Sequence, residues 1–121
     1  MLMKLLFVCV GNTCRSQMAE AIAKSLGHEA ISAGTNPGKE VALNAIKVIS
    51  EINIEMKKHY PKSIDDIVIE GFDQIISMGC GVSCPNLRIN SDWNLEDPYN
   101  QDISHYRETR DKIFNYVSEL E

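Results

Sequence analysis

Hydrophobic residues along the 121-residue chain alternate between strand-like and helix-like patterns. A continuous apolar run over residues 5–8 has the length and the β-branched or aromatic content of a buried strand, which is predicted over residues 4–9. Apolar positions then recur at helical spacing over residues 16–26, and Gly27 favours the end of this helix. By the same criteria, strands are predicted over residues 28–33, 72–78 and, weakly, 87–90, and helices over residues 40–51 and 103–120.

Local features add detail to this pattern. The second predicted helix is expected to bury a stripe formed by Ala42, Ala45, Ile46, Ile49 and Ile52. Residues 53–63 form a basic, proline-containing connection whose lysines, Lys62 among them, are expected to be solvated. Ser63 is a good N-cap and two aspartates follow it closely, so a short helix is predicted over residues 64–70.

An alternating order of strands and helices is typical of an α/β fold with a parallel sheet and right-handed crossovers. We therefore predict a single domain over residues 1–121, with a four-stranded parallel sheet flanked by helices on both faces. In such sheets, ligands bind beyond the carboxyl ends of the strands. Cys9, Cys80 and Asp97 follow the first, third and fourth predicted strands, so we expect them to meet at one edge of the sheet.

The net charge, the N-terminal apolar run and the number of cysteines disfavour several classes of function. A net charge of −5 disfavours nucleic-acid binding, which needs clustered basic residues. The N-terminal apolar run is too short to span a membrane and lacks the basic flank and cleavage site of a signal peptide, so a cytoplasmic protein is expected. Four cysteines are too few for a disulfide scaffold. The remaining roles for these cysteines are packing in the core, metal binding and catalysis or redox reactions.

The seven residues from Cys9 to Arg15, CVGNTCR, connect the end of the first predicted strand to the first predicted helix. The backbone N–H groups of such a loop and the N-terminus of the following helix together bind a phosphate-like anion. Gly11 accepts a positive φ, Asn12 tolerates one, and the planar fork of Arg15 can grip two oxygens of the anion. The predicted anion-binding loop consists of Val10, Gly11, Asn12, Thr13, Cys14 and Arg15. It is not a nucleotide loop, because Gly-Lys-Ser and Gly-Lys-Thr are absent.

Cys9 stands at the start of this loop. The field that binds an anion also stabilises a thiolate, so we expect the pKa of Cys9 to fall from ~8.5 to roughly 3.5–7.5, with a hydrogen bond from the Ser16 hydroxyl to the sulfur. A thiolate in this position can attack a tetrahedral oxyanion. The alternative is that Cys9 is a buried strand-end residue, since free cysteine is among the most buried residue types.

Residues 9–16, CVGNTCRS, resemble the active-site loop of the low-molecular-weight protein tyrosine phosphatases and of the thioredoxin-coupled arsenate reductases that share their fold. The resemblance covers most of the chain and includes Ser32-Ala33-Gly34, the segment from Phe72-Asp73 to Met78, and Asp97-Pro98. It implies this fold for the chain, but the loop alone does not separate the two branches.

Two features favour the reductase branch. Gln17 stands where phosphatases of this fold usually have proline, and Cys80 and Cys84 directly follow the third predicted strand. The resemblance implies that Cys9 attacks arsenate while Asp97 protonates the departing oxygen. It further implies that Cys80 attacks the Cys9 sulfur and releases arsenite, and that Cys84 then attacks Cys80. Thioredoxin or a similar dithiol protein would reduce the resulting Cys80–Cys84 disulfide.

Other features favour the phosphatase branch. Cys14 lies beside Arg15, as in phosphatases in which a second loop cysteine pairs with the nucleophile. Tyr99 follows the Asp-Pro pair, as does the aromatic residue that contacts the substrate ring in phosphatases. The first alternative is therefore hydrolysis of a phosphoester through a Cys9 phosphoenzyme. A second alternative is a non-catalytic anion-binding or redox-sensor module that uses its cysteine pairs.

Several residues also allow simpler interpretations. The four cysteines could be zinc ligands, but Arg15 beside them disfavours a zinc site. Asp97 could instead cap a turn. Some relatives bind potassium near the equivalents of Asn12, Glu20 and Ser32, but residues 59–62 depart from the pattern that completes that site. No metal or other cofactor is therefore predicted, and His59 is expected to be a surface or structural residue.

Overall fold

Four parallel strands form one sheet in the computed structural model, which describes residues 2–56, 58–79 and 89–120. The strands are β1 Lys4–Cys9, β2 Glu29–Gly34, β3 Gln74–Ser77 and β4 Ser91–Asp92, and their order is β2-β1-β3-β4. Every neighbouring pair of strands is parallel. The central position of β1 explains its continuous apolar run, since both of its faces are buried.

Two hydrophobic layers enclose the sheet. The first contains the three helices, α1 Arg15–Ser25, α2 Leu43–Ser50 and α3 Ile103–Ser118, which pack against Leu5, Phe7 and Ile76. The second is formed by Leu6, Val8, Ala33 and Ile75, which pack against side chains of the segment from Ile64 to Phe72. That segment begins with a single turn of 3-10 helix, Ile64–Asp66, which is shorter than the predicted helix but has the predicted N-cap at Ser63. The parallel sheet with helical structure on both faces is thus confirmed.

The second helix begins at Leu43, three residues later than predicted. Ala42 is extended, and its backbone N–H donates to the carbonyl of Thr13 at 2.9 Å. Of the predicted stripe, Ala45 is buried whereas Ile46 is exposed, and Val48 is buried in the core instead. Contacts with the loop after β1, rather than local periodicity, therefore decide where α2 begins.

The fourth strand lies further along the chain than predicted. Within the described part of the predicted range 87–90, no residue is in a strand, and pairing with β3 occurs at Ser91–Asp92 instead. Asn90 bonds Ile75 of β3 with both its backbone N–H, which donates to the Ile75 carbonyl, and its side chain, whose Oδ1 accepts from the Ile75 N–H, each at 2.8 Å. A side-chain amide therefore replaces the main-chain carbonyl at the position where the strand was expected.

The C-terminal helix begins where the apolar pattern predicts, at Ile103. Asp102 is its N-cap and accepts a hydrogen bond from the His105 backbone N–H. Tyr106, Ile113 and Val117 are buried against the core. Although this is the longest helix in the described ranges, neither it nor any other helix there has the length and apolarity to cross a membrane.

Candidate active site

Neighbouring backbone holds the loop between β1 and α1 in one conformation. The N–H groups of residues 35, 36, 38 and 42 donate to the carbonyl oxygens of Cys9, Val10, Gly11 and Thr13 over 2.9–3.1 Å. The carbonyls of the loop are thereby bonded to the segment that leads into α2. No side chain in the described part of the chain caps the start of α1. Apart from those of Asn12 and Ser16, which bond the Cys9 sulfur, the N–H groups of the loop and of this first helical turn are therefore available to an anion.

Asn12 organises the environment of the Cys9 sulfur. It is fully buried and has a positive φ of 53°. Its backbone N–H donates to Cys9 Sγ at 3.1 Å, and its Nδ2 donates to Ser16 Oγ at 2.7 Å. Ser16 Oγ lies 2.8 Å from Cys9 Sγ, and since it accepts from Asn12, its own proton can be donated to the sulfur.

The pKa of Cys9 is shifted in the direction opposite to the predicted one. Burial raises the pKa of the Cys9 thiol above its ordinary value, although hydrogen bonds from Ser16 and Asn12 and the charge of Arg15 act to lower it. The sequence identified the groups that lower the pKa but not the extent of burial, which leaves only 3% of the residue exposed. The hydrogen bonds to sulfur are therefore the main contacts that favour the thiolate against desolvation.

Arg15 lies beneath the loop and is only 4% exposed. Its Nη1 donates to the carbonyls of Met78 and Leu95, at 3.1 and 2.9 Å, and its Nη2 lies 3.5 Å from Asp97 Oδ2. These contacts bring together the ends of β1 and β3 and the segment after β4, as predicted from the rule on carboxyl ends of strands. Because Nη1 is bonded to carbonyls, Nε and Nη2 are the nitrogens with which Arg15 can contact an anion.

Asp97 makes two contacts, one for each interpretation of this residue from the sequence, as the cap of a turn and as a proton donor at the site. Its Oδ1 accepts from the Tyr99 backbone N–H at 3.1 Å, which is the turn cap, and its Oδ2 faces Arg15. With 52% of its side chain exposed, the carboxyl group can exchange protons with solvent. The turn therefore fixes Asp97 at the mouth of the site without removing it from water.

An open cavity of about 740 Å³ lies over the loop. Its lining includes all seven residues from Cys9 to Arg15, together with Asp97. Val41, Leu43 and Tyr99 add an apolar wall, and Leu43 and Tyr99 are largely exposed. The cavity therefore combines the predicted anion-binding loop at its base with room for an organic group at its mouth.

Cys14 is buried at the start of α1. Its sulfur lies 3.7 Å from the Tyr106 hydroxyl and 3.6 Å from Thr13 Oγ1. Burial raises the pKa of Cys14. This thiol therefore contributes to the contact between the loop and α3.

A buried polar cluster lies behind the loop. From the sequence, Asn12, Glu20, Ser32 and residues 59–62 are named only as the place where some relatives bind potassium, and the contacts of Gln17 and Lys62 there are not predicted. Gln17 is fully buried and bridges Asn12 to the segment around His59, and the Glu20 carboxylate accepts a hydrogen bond from Ser32 Oγ at 2.7 Å. Lys62 was predicted to be solvated, but its side chain is 11% exposed because its Nζ lies 3.6 Å from Glu20 Oε1. No short motif marks this cluster, since its members are brought together only by the return of residues 59–62 to the loop.

Two of the predicted site residues, Cys80 and Cys84, lie outside the described residues. The described residue that precedes them is Gly79, which follows the Met78 carbonyl bonded by Arg15. Among residues 2–56, 58–79 and 89–120, no group of three or more histidine, cysteine or acidic side chains is arranged to hold a metal ion.

Comparisons with known proteins agree with this arrangement. The sequence profile of the family described as "Low molecular weight phosphotyrosine protein phosphatase" matches residues 4–121. The glutaredoxin arsenate reductase of Synechocystis sp. is 37% identical over 125 residues, which cover 97% of this chain and 95% of that protein. The arsenate reductase of Staphylococcus aureus strain Newman is 32% identical, and the match covers 88% of this chain and 87% of that protein. A solved arsenate reductase in the phosphate-binding state has a TM-score of 0.90 and 35% sequence identity. The match covers 98% of this chain and 96% of that one.

Proposed function

Since the chain belongs to the low-molecular-weight phosphotyrosine protein phosphatase family, we propose that it is an arsenate reductase with Cys9 as its nucleophile. The observation that carries the proposal is the position of Cys9 Sγ at the start of the predicted anion-binding loop, within hydrogen-bond distance of Ser16 and Asn12 and next to Arg15. Reductases among the relatives, at 30–37% identity, favour arsenate as the anion.

In the first step, the Cys9 thiolate attacks arsenic in bound arsenate. A sulfur–arsenic bond forms and one arsenic–oxygen bond breaks, while the loop N–H groups and Arg15 stabilise the charge on the remaining oxygens. Asp97 donates a proton to the departing oxygen, which leaves as water. Its position at the mouth of the cavity, 3.5 Å from Arg15, supports this role.

In the second step, the Cys80 thiolate attacks the Cys9 sulfur. A Cys9–Cys80 disulfide forms, the electron pair of the sulfur–arsenic bond passes to arsenic, and As(V) leaves as As(III) in arsenite. Cys84 then attacks Cys80, which frees Cys9 and leaves a Cys80–Cys84 disulfide. The bond from Arg15 to the carbonyl of Met78, two residues before Cys80, supports this assignment.

An external dithiol must reduce the final disulfide, because the two electrons given to arsenic come from two protein thiols. We propose thioredoxin or a similar dithiol protein as this reductant, in the cytoplasm, where such systems keep thiols reduced. The Synechocystis relative is named for glutaredoxin, so the glutathione system is the other candidate.

Hydrolysis of an aryl phosphoester is a second candidate function. It is favoured by the apolar wall of the cavity, where Tyr99 is 53% exposed beside Asp97 and Leu43. An aryl ring could lie against this wall while its phosphate occupies the loop. Water would then release phosphate from Cys9, with no need for Cys80 or Cys84.

Steady-state assays separate these functions. Arsenite production is measured with arsenate and either thioredoxin with its reductase or glutathione with glutaredoxin, and phosphate release is measured with an aryl phosphate. We expect Cys9→Ser to abolish both activities. Cys80→Ser and Cys84→Ser should each abolish arsenate turnover and leave aryl phosphate hydrolysis as an internal control. Arsenite production that survives Cys80→Ser would contradict the cascade. Retention of both activities in Cys9→Ser would contradict the assignment of Cys9 as the nucleophile.

A further inference from the structure

The Gln17 side chain connects the segment from His59 to Lys62 with the anion-binding loop, next to a direct bond from the Lys62 backbone N–H to Asn12 Oδ1. Gln17 Nε2 donates to the Asn12 carbonyl at 3.1 Å, to Asn12 Oδ1 at 3.0 Å and to the Tyr60 carbonyl at 2.9 Å. Gln17 Oε1 lies 2.9 Å from His59 Nδ1. The carboxamide therefore joins the loop to the segment without any contact to the sulfur itself.

The donor and acceptor roles in this group follow from its geometry. All three neighbours of Gln17 Nε2 are oxygens that only accept, which fixes the orientation of the amide. Gln17 Oε1 must then accept, so His59 carries a proton on Nδ1 and donates it. His59 thereby holds the carboxamide of Gln17 in the orientation that serves Asn12.

Asn12 transmits this constraint to Cys9 by two routes. Its backbone N–H reaches Cys9 Sγ directly, and its Nδ2 reaches Ser16, whose hydroxyl faces the same sulfur. Both routes start from Asn12 in the left-handed conformation, with a φ of 53°, which asparagine tolerates but which is uncommon for a non-glycine residue. Gln17 bonds both oxygens of Asn12, and the Lys62 backbone N–H bonds Oδ1 at 2.9 Å.

We propose that Gln17, oriented by His59, is a positioning residue that holds Asn12 so that two hydrogen bonds point at the Cys9 sulfur. The inference rests on Cys9 being the nucleophile proposed above, and it applies equally to arsenate and to phosphoester substrates. It predicts that loss of either Gln17 or the His59 donor makes the thiolate less favourable while the anion site, formed by other groups, keeps its affinity.

The charged groups around His59 supply a control. Glu20 is 3% exposed, and its carboxylate lies 2.7 Å from Lys24 Nζ, 3.6 Å from Lys62 Nζ and 3.5 Å from His59 Nε2. Lys24 is half exposed and has no hydrogen bond to Gln17 within the described residues. Lys24→Gln therefore perturbs the same ion cluster without removing a donor or acceptor from the path to Cys9.

The test is the pH profile of Cys9 alkylation by iodoacetamide, followed on the Cys9 peptide by mass spectrometry. We expect Gln17→Ala and His59→Leu to move the midpoint upward by about one pH unit, because a thiolate loses hydrogen-bond stabilisation. His59→Asn, whose Nδ2 can donate in place of the ring, should restore the wild-type midpoint, and Lys24→Gln should keep it. In arsenate turnover, kcat should fall about tenfold in the two impaired variants, with KM unchanged.

Three results would overturn the inference. These are an unmoved midpoint in folded His59→Leu, equal impairment of His59→Leu and His59→Asn, or an equal shift in Lys24→Gln. The leucine and asparagine variants keep the test decisive even if Gln17→Ala fails to fold. If wild-type Cys9 is unreactive and arsenate is not reduced, the proposed function falls together with the inference. If Cys9-dependent turnover is present but the midpoints coincide, only the role of Gln17 is refuted.

Discussion

At the scale of single residues, Arg15 shows how a buried cation can serve both structure and chemistry. Its Nη1 satisfies the carbonyls of Met78 and Leu95, which belong to two different segments. Its other nitrogens face the site and Asp97. The planar guanidinium is suited to this double task because its donors point in fixed directions, whereas an ammonium group is a compact point charge.

Arg15→Lys is therefore expected to weaken both functions of the residue. Affinity for phosphate should fall by about 10- to 100-fold, because a charge-assisted hydrogen bond contributes about 1.5–3 kcal/mol. The free energy of unfolding should fall by about 1–3 kcal/mol, because at least one buried carbonyl loses its donor. Calorimetric titration with phosphate and urea unfolding measure the two effects, and wild-type phosphate affinity in this variant would contradict the assigned role.

At the scale of secondary-structure elements, an ion-pair group links the end of α2 to α3. Glu51 is the C-cap residue of α2, and its carboxylate contacts Arg107 Nη2 at 2.7 Å and Arg110 Nη1 at 2.6 Å. Arg110 Nη1 also donates to the Val48 carbonyl at 2.9 Å, near the end of the same helix. These contacts hold the two helices in the register that places α3 over the loop and Cys14.

The hydrogen bonds from Arg107 lower the pKa of Glu51 from 4.5 to about 2. A carboxyl whose pKa is lower in the folded protein contributes stability that is present above the unfolded pKa and is lost as the pH falls through the folded value. The free energy of unfolding should therefore decrease more steeply between about pH 4.5 and pH 2 in the wild type than in Glu51→Gln. Urea unfolding at several pH values measures both slopes, and parallel profiles would show that the ion pairs are absent in solution.

At the scale of the whole molecule, the segment that follows β3 and the segment that follows β4 pack closely against each other beside the site. Gly79 follows β3 with a φ of +90°, and a Cβ atom there would lie 2.2 Å from Asn94 Cα. The segment containing Asn94 is bonded to the end of β3, where the Trp93 N–H donates to Ser77 and the Leu95 N–H donates to Met78, each at 3.0 Å. This close packing brings the Leu95 carbonyl and Asp97 to Arg15, so the site depends on how closely these backbones approach.

Gly79→Ala should destabilise the protein by about 2–4 kcal/mol, since overpacking and a positive φ act together. Gly71→Ala is the matched control, because Gly71 has nearly the same φ, +89°, but its nearest neighbour to a Cβ would be Lys4 Nζ at 3.7 Å. This control should lose only about 1–2 kcal/mol, from the backbone conformation alone. Urea unfolding at pH 7 measures both variants, and equal losses would refute the close packing of the two segments.

Local sequence predicted the elements whose structure depends mainly on their own residues. β1 matches its predicted bounds, and α1 begins and ends within one residue of them. The bounds of both elements could be predicted from the hydrophobic pattern, because a central parallel strand is largely apolar and a helix that packs on a sheet is apolar along one face. The loop between them was also recognisable, since a cysteine and an arginine with glycine and asparagine between them directly follow a strand and lead into a helix.

Where distant segments meet, the sequence pattern failed. It placed the start of α2 too early because the N–H of Ala42 bonds the loop, and it placed the fourth strand too early because the Asn90 side chain bonds β3. It also predicted a solvated Lys62 and a low pKa for Cys9, whereas the folded chain buries both groups.

The sequence by itself thus determined the order of strands and helices, the family and the groups available to bind an anion. The tertiary structure decided how far these groups are removed from water and which partners they contact. Asn12, Ser16 and Gln17 are neighbours along the chain, but the partners that orient them, His59 and Tyr60, are more than 40 residues away. Hydrogen bonding and desolvation act over a few ångströms in space, so they are set only when the chain has folded.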